Sequence, residues 1–113
     1  MRLAVASSSP MVLIDAALQG LGLARTFEVV VSAENEVLGK PRPGVYLRAA
    51  KELTVDADAC LAIEDSLNGT LAAKAARMSC CSIPEDYPNR SKKFCIADYE
   101  LASLLELPAA LLA

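Results

Sequence analysis

A three-layer α/β fold built on a parallel sheet is the architecture this chain predicts. Short apolar runs of Val, Ile, Leu, Ala and Cys recur along its 113 residues, and stretches of helical periodicity separate most of them. Buried parallel strands read as continuous apolar runs, because helices cover both faces of their sheet. Polar residues also gather just beyond the runs, and open parallel sheets bind ligands at the carboxyl ends of their strands.

The elements follow in order. Leu3 to Ala6 reads as a buried strand ending in hydroxyl residues. Ser9 offers an N-cap and Pro10 a first helical position for a helix over Met11 to Leu18, stopped near Gly20 and Gly22. Glu28 to Val31 is β-branched and reads as a second strand. Gly39-Lys40-Pro41-Arg42-Pro43 is a stiff turn, since each proline fixes its own φ and restricts the residue before it. A helix over Gly44 to Leu53 then places Tyr46, Leu47, Ala50 and Leu53 on one face. Cys60 to Ile63 is a third strand, with Glu64-Asp65 at its carboxyl end. Ser66 can cap a helix from Leu67 to Arg77 whose apolar stripe is Leu67, Leu71, Ala75 and Met78. Cys80 to Ile83 is a fourth strand, ended by Pro84. Glu85 to Arg90 is loop-like, Cys95 to Ala97 is an edge strand, and Asp98 caps a last helix through Leu105.

Composition narrows the function. Hydrophobic residues at 54% and charged residues at 22% describe a globular chain. With aromatics at only 4%, aliphatic side chains must build the core. The net charge is -3, and Lys92-Lys93 is too short and too far from aromatic residues to be a nucleic-acid footprint. No apolar run approaches the roughly 18 residues that suggest a membrane span. Ser7-Ser8-Ser9-Pro10 interrupts the opening residues before a signal-peptide core forms, so the chain reads as cytoplasmic.

Four cysteines, Cys60, Cys80, Cys81 and Cys95, form no C-x-x-C pair, and histidine is absent, which argues against a zinc site. Cys60, Cys80 and Cys81 sit in apolar runs and read as small buried thiols. Without histidine, Ser-His and Cys-His catalysis is excluded, and acid-base work falls to Asp, Glu, Lys or Tyr.

Three polar features fall at or beyond strand ends: Ser7-Ser8-Ser9, Lys40 and Glu64-Asp65. Each has a plainer use, as a cap, a turn or a favourable charge at a helix start. Together, a hydroxyl, a cation and a carboxylate pair suit a phosphate and a magnesium ion, which prefers carboxylates, water and phosphate oxygens.

In order and spacing the three features resemble the haloacid dehalogenase (HAD) superfamily. Val5-Ala6-Ser7-Ser8-Ser9 resembles its second motif, Gly39-Lys40-Pro41-Arg42-Pro43-Gly44-Val45-Tyr46 its third, and Leu61-Ala62-Ile63-Glu64-Asp65-Ser66-Leu67-Asn68-Gly69 its fourth, the most specific. The match is to the subgroup of β-phosphoglucomutases and hexitol- or 2-deoxyglucose-6-phosphate phosphatases. Ala75-Ala76-Arg77-Met78 and Ile83-Pro84 extend it, so it runs roughly from Leu3 to Leu107.

The resemblance implies that residues 1–113 are one partial HAD-like, Rossmannoid core domain carrying the second, third and fourth motifs. The implied function is a magnesium-dependent sugar-phosphate phosphatase or phosphomutase. Ser7 and Ser8 would bind the phosphate. Lys40 would be catalytic, stabilising the nucleophile and the developing charge. Asp65 would bind Mg2+ with Glu64 as a ligand or supporting partner, and Ser66 and Asn68 would support the carboxylate loop.

Family members begin with Asp-x-Asp-Gly-Thr on a first strand, followed by a helical cap domain. The first of those aspartates forms an aspartyl-phosphate intermediate. The 113 residues contain no such motif; Asp56-Ala57-Asp58 has the spacing but no Gly-Thr after it, and reads as a loop. The expectation is therefore a truncated core, lacking its first strand and cap, that is inactive alone. The alternative is a non-catalytic remnant or interaction domain binding phosphate or a partner chain. A flavodoxin or response-regulator fold would need an acidic cluster near the first strand, and Met1 to Ser9 has none. In the family the first-motif strand separates the strand ending at Ser7 from that ending at Ile63. Its absence would expose two inner edges, which implies self-association or a complementing chain that carries the first motif.

Overall fold

In the computed structural model, which describes residues 1–108, the chain alternates strand and helix as its pattern requires. The strands are β1 (Ala4–Ser7), β2 (Val29–Ser32), β3 (Leu61–Glu64), β4 (Ser79–Ser82) and β5 (Tyr99–Glu100); the helices are α1 (Met11–Gly20), α2 (Gly44–Leu53) and α3 (Leu67–Ala75).

The strands do not form one sheet. β1 pairs only with β2, in parallel, with Ala4 opposite Val29 and Ser7 opposite Ser32. β3, β4 and β5 form a separate parallel sheet in which Leu61 lies opposite Ser79 and Cys81 opposite Tyr99. β1 and β3 both line one cavity of about 620 Å³. The spatial order is therefore β2-β1, a gap, then β3-β4-β5, and the two inner strands do not pair directly.

Chain direction across these strands reverses once. Right-handed crossovers therefore put α1 on one face and α2 and α3 together on the other, and α2 and α3 touch. The core between α2, α3 and the strands is made mostly of small side chains around Tyr46 and Met78: Ala49, Ala50, Ala62, Ala72, Ala73, Ala76, Val31, Val45 and Cys80 are all buried. Small residues let helix and strand backbones approach closely, and such packing is intolerant of added volume.

This close approach explains where the observed helix faces differ from the expected ones. On α2 the buried residues are Val45, Tyr46, Ala49, Ala50 and Leu53, while Leu47 is exposed. On α3 the buried face is Gly69, Thr70, Ala72 and Ala73, and Leu71 and Ala75 are exposed. The helix turns its alanines to the sheet because a leucine there would hold it away.

The start of α1 also differs. Pro10 stands at the cap position with no side-chain cap, and Glu34 accepts a hydrogen bond from the Met11 amide at 3.2 Å instead. Ser9 is used through its backbone, its carbonyl accepting from the Ser32 hydroxyl at 2.6 Å.

The largest corrections lie after Pro84. Lys92–Ile96 is a 3-10 helix and not an edge strand; the edge strand is Tyr99–Glu100. No helix begins at Asp98. Its carboxylate accepts from the Cys80 amide at 2.8 Å and the Lys74 ammonium at 2.7 Å, which docks the edge strand onto β4 and α3. Only a 3-10 turn, Leu104–Glu106, follows, capped by Ser103. Cys80 and Cys81 are buried free thiols, Cys60 is half-buried and Cys95 is exposed. Among the described residues, no helix is long and apolar enough to cross a membrane.

Replacing Asp98 by Ala is expected to destabilise the chain by about 1 kcal/mol, below the roughly 1.5–3 kcal/mol of charge-assisted hydrogen bonds because the group is partly solvated. The Lys74 hydrogen bond, then the Cys80 amide, hold the Asp98 carboxyl below its ordinary range. Its contribution is complete above the unfolded value of about 3.9 and lost as pH falls through the lower folded value. The gap in urea midpoint between wild type and Asp98→Ala should therefore shrink as the pH is taken below about 4.

Candidate functional site

The polar residues at the strand ends meet across the gap, and Glu64 is their centre. It is the last residue of β3 and only 6% exposed. Its carboxylate accepts a close ion-paired hydrogen bond from Lys40 Nζ and another close one from the Tyr46 hydroxyl. Ser66 Oγ lies 3.4 Å from its other oxygen. Buried carboxylates persist only when paired and hydrogen-bonded, and both conditions hold here.

Each partner reaches Glu64 for a local reason. Lys40 stands in the proline turn, whose Lys40–Pro41 peptide is cis, and is only 12% exposed at its side chain. Its ammonium lies 5.0 Å from the Tyr46 ring centroid and donates to the Ala6 carbonyl at 3.3 Å. Tyr46 comes from the buried face of α2. Burial, then the Glu64 charge, push its hydroxyl far above the ordinary tyrosine range, so it is a neutral donor. Gly69, in the first turn of α3, makes the room: a Cβ there would overlap the Glu64 carboxylate.

Lys40 thus ties the end of β1 to the end of β3. Ser7, the last residue of β1, and Asp65, which follows β3, consequently stand on the same rim. Ser7 is half-buried, and its Oγ accepts from the Ser9 amide at 3.1 Å. Ser8, Asp65 and Asn68 are exposed. Ser66 caps α3 through the Gly69 amide at 3.0 Å. Glu64 turns inward to its cation while Asp65 turns out to solvent, so adjacent carboxylates have opposite surroundings. Among the described residues no three His, Cys, Asp or Glu side chains gather into a metal shell. Asp65 is the free oxygen donor of the pair, which fits an ion taking one or two protein carboxylates and completing its shell with water and phosphate.

Sequence reasoning treated Tyr46 as part of an apolar face and Gly69 only as a motif letter. A tyrosine on a buried helix face needs a partner for its hydroxyl, and that requirement was the available signal. Nothing in the sequence marked Glu34 as the cap of α1.

A family model of haloacid dehalogenase-like hydrolases matches residues 1–77. Hexitol phosphatase B of Escherichia coli K12 is 41% identical over 105 residues, which are 93% of this chain and 47% of that protein. The structure of CbbY from Rhodobacter sphaeroides in complex with phosphate superposes with a TM-score of 0.86 at 36% identity, covering 95% of this chain and 48% of that one. The β-phosphoglucomutase of Clostridium difficile superposes at 0.84 with 25% identity, covering 99% and 47%. The chain spans about half the length of the relatives it matches.

Gly69→Ala is expected to destabilise the chain by about 3 kcal/mol, the upper end of overpacking costs, because the new methyl must displace a buried paired carboxylate. Gly39→Ala is the control: a Cβ there meets nothing within 4 Å, and the change should stay within about 0.5 kcal/mol. Urea unfolding of the two variants beside wild type measures both.

Proposed function

The chain belongs to the haloacid dehalogenase-like hydrolase family, and on that premise we propose that it is core machinery of a magnesium-dependent sugar-phosphate phosphatase or phosphomutase, inactive without the half of the relatives' length it does not span. The observation that carries this reading is Lys40 Nζ, held between the Ala6 carbonyl and the Glu64 carboxylate on a rim shared with Ser7 and Asp65. The phosphatases and the phosphate-bound structure among its relatives support the substrate class.

Each side chain has one task in this reading. Ser7 and Ser8 present hydroxyls to the phosphoryl oxygens, Ser7 from a position already fixed by the Ser9 amide. Lys40 supplies a positive charge where negative charge grows during phosphoryl transfer. Such preorganised charge in a partly dry site is worth far more than in water. Glu64 and Tyr46 hold the ammonium in place, so it need not reorganise. Asp65 holds the magnesium ion, which would screen charge on the phosphate, and Ser66 and Asn68 support that loop. The attacking carboxylate of a covalent route is not supplied by these residues: Asp65 is committed to the metal and Glu64 to Lys40.

The isolated chain is therefore expected to show no turnover of sugar phosphates or p-nitrophenyl phosphate. It is expected to bind Mg2+ weakly in calorimetric titrations, and Asp65→Asn should abolish that binding. Magnesium-dependent turnover by the purified 113 residues, lost in Asp65→Asn, would overturn the inactivity and reveal another nucleophile. Mg2+ binding that survives Asp65→Asn would overturn the metal assignment. Phosphate binding with no Mg2+ response at all would favour a non-catalytic phosphate-binding domain.

A further inference from the structure

The seam between the two half-sheets divides the groups of the site between two loops. The serine loop, Ser7-Ser8-Ser9, follows β1, and the carboxylate loop, Glu64-Asp65-Ser66, follows β3. In each loop the middle residue is exposed and both its neighbours are tied down. The Ser7 carbonyl accepts from the Ala33 amide at 2.8 Å, and the Ser9 carbonyl accepts from the Ser32 hydroxyl. Glu64 is clasped by Lys40 and Tyr46, and the Ser66 carbonyl accepts from the Thr70 hydroxyl at 2.9 Å.

Behind each loop stands a buried serine of the outer strand. Ser32 ends β2 opposite Ser7, and Ser82 ends β4 opposite Glu64. They are 3% and 0% exposed. Alanine or valine would fill such places with no hydroxyl to satisfy, and a buried hydroxyl is unfavourable unless it is hydrogen-bonded. The two hydroxyls therefore mark bonds rather than packing.

The direction of each bond is fixed, because a carbonyl only accepts. Ser32 Oγ donates to the Ser9 carbonyl at 2.6 Å and accepts from the Glu34 amide at 3.1 Å, so its proton and a lone pair are both engaged. Thr70, fully buried on α3, gives its proton to Ser66. Its 2.7 Å contact with Ser82 must then use the Ser82 proton, which leaves Ser82 Oγ to accept from the Cys80 thiol at 3.8 Å. A line of donors thus runs from β4 through α3 to the carboxylate loop.

We infer that Ser32 and Ser82 are positioning residues: Ser32 braces the serine loop for a phosphate, and Ser82, through Thr70, braces Asp65 for a magnesium ion. Each acts on one loop, and the two loops leave strands that share no ladder, so the braces are independent. The inference rests on the phosphatase reading of the site and deepens it.

The test is an NMR titration of the isotope-labelled 113-residue chain, with inorganic phosphate in the absence of Mg2+ and with MgCl2 in the absence of phosphate. Ser32→Ala should weaken phosphate binding about fivefold, the value of one ordinary hydrogen bond, and leave Mg2+ affinity within about twofold of wild type. Ser82→Ala and Thr70→Val should weaken Mg2+ binding about tenfold, the lower end for groups that orient metal ligands, and leave phosphate affinity within about twofold. Thr70→Ser keeps the donor and should bind Mg2+ like wild type. A residue that only packs would lower the urea midpoint without separating the two ions. Comparable losses for both ions in every variant therefore overturn the inference, and so do variants that bind both ions like wild type. A wild-type chain that binds neither ion overturns the phosphatase reading and this inference with it. Should Ser32→Ala fail to fold, the near-isosteric Ser32→Cys, a weak donor, takes its place with the same expectation; should Ser82→Ala fail, Thr70→Val decides.

Discussion

The clasp of Lys40 and Tyr46 on Glu64 is the interaction on which the rest of this structure depends. β1 and β3 share no ladder, so sheet hydrogen bonding does not join the two halves of the molecule. They are joined by α2, which packs on β1 and β2 and touches α3 and whose Tyr46 reaches Glu64, and by one ammonium that reaches a carbonyl of β1 and a carboxylate of β3. A buried ion pair is weak evidence for stability in general, since desolvation offsets much of its attraction. Removing one partner nonetheless costs about 3–5 kcal/mol, because an unpaired buried charge remains. In a domain with about 5–15 kcal/mol in total, that is a structural dependence.

The clasp dictates details elsewhere. Glu64 can lie flat against α3 only because Gly69 has no side chain. Ser66 then serves two groups, capping α3 through Gly69 and standing beside the carboxylate. Tyr46 must present its hydroxyl at the helix–strand junction, and that sets the rotation of α2 and sends Leu47 outward. The alanine-rich interior follows from the same need for close approach: a bulkier core would lift α2 and α3 and draw Tyr46 away from Glu64.

Much of this was legible in the sequence. The first four strands fall within a residue of their expected places, α2 spans its expected range, and Ser66 caps α3 as its position suggested. These segments have strong signals: continuous apolar runs, a proline turn, and a hydroxyl ahead of a helical period. The chain after Pro84 was misread because its order comes from tertiary contacts. Cys95-Ile96-Ala97 looks like a strand locally, yet Phe94 buries itself and the segment turns as a 3-10 helix, while Asp98 spends its carboxylate on Lys74 and the Cys80 amide. Helix faces were misjudged where size was taken for burial, at Leu47 and Leu71. The placement of Ser7, Lys40, Glu64 and Asp65 near one another could be argued from strand ends; the inward turn of Glu64 and the outward turn of Asp65 could not, since adjacent acids look alike until their neighbours are known.

The rim and the seam are one feature seen from two directions. Lys40, Ser7 and Asp65 stand at the carboxyl ends of the two strands that border the seam, so a fixed cation, a hydroxyl and an exposed carboxylate gather there. Conversely, the charges at that rim act on the seam. Lys40 takes the Ala6 carbonyl, so its ammonium is held by the backbone of β1 as well as by Glu64. The position of the Lys40 ammonium is therefore coupled to the backbone of β1 through a single carbonyl oxygen.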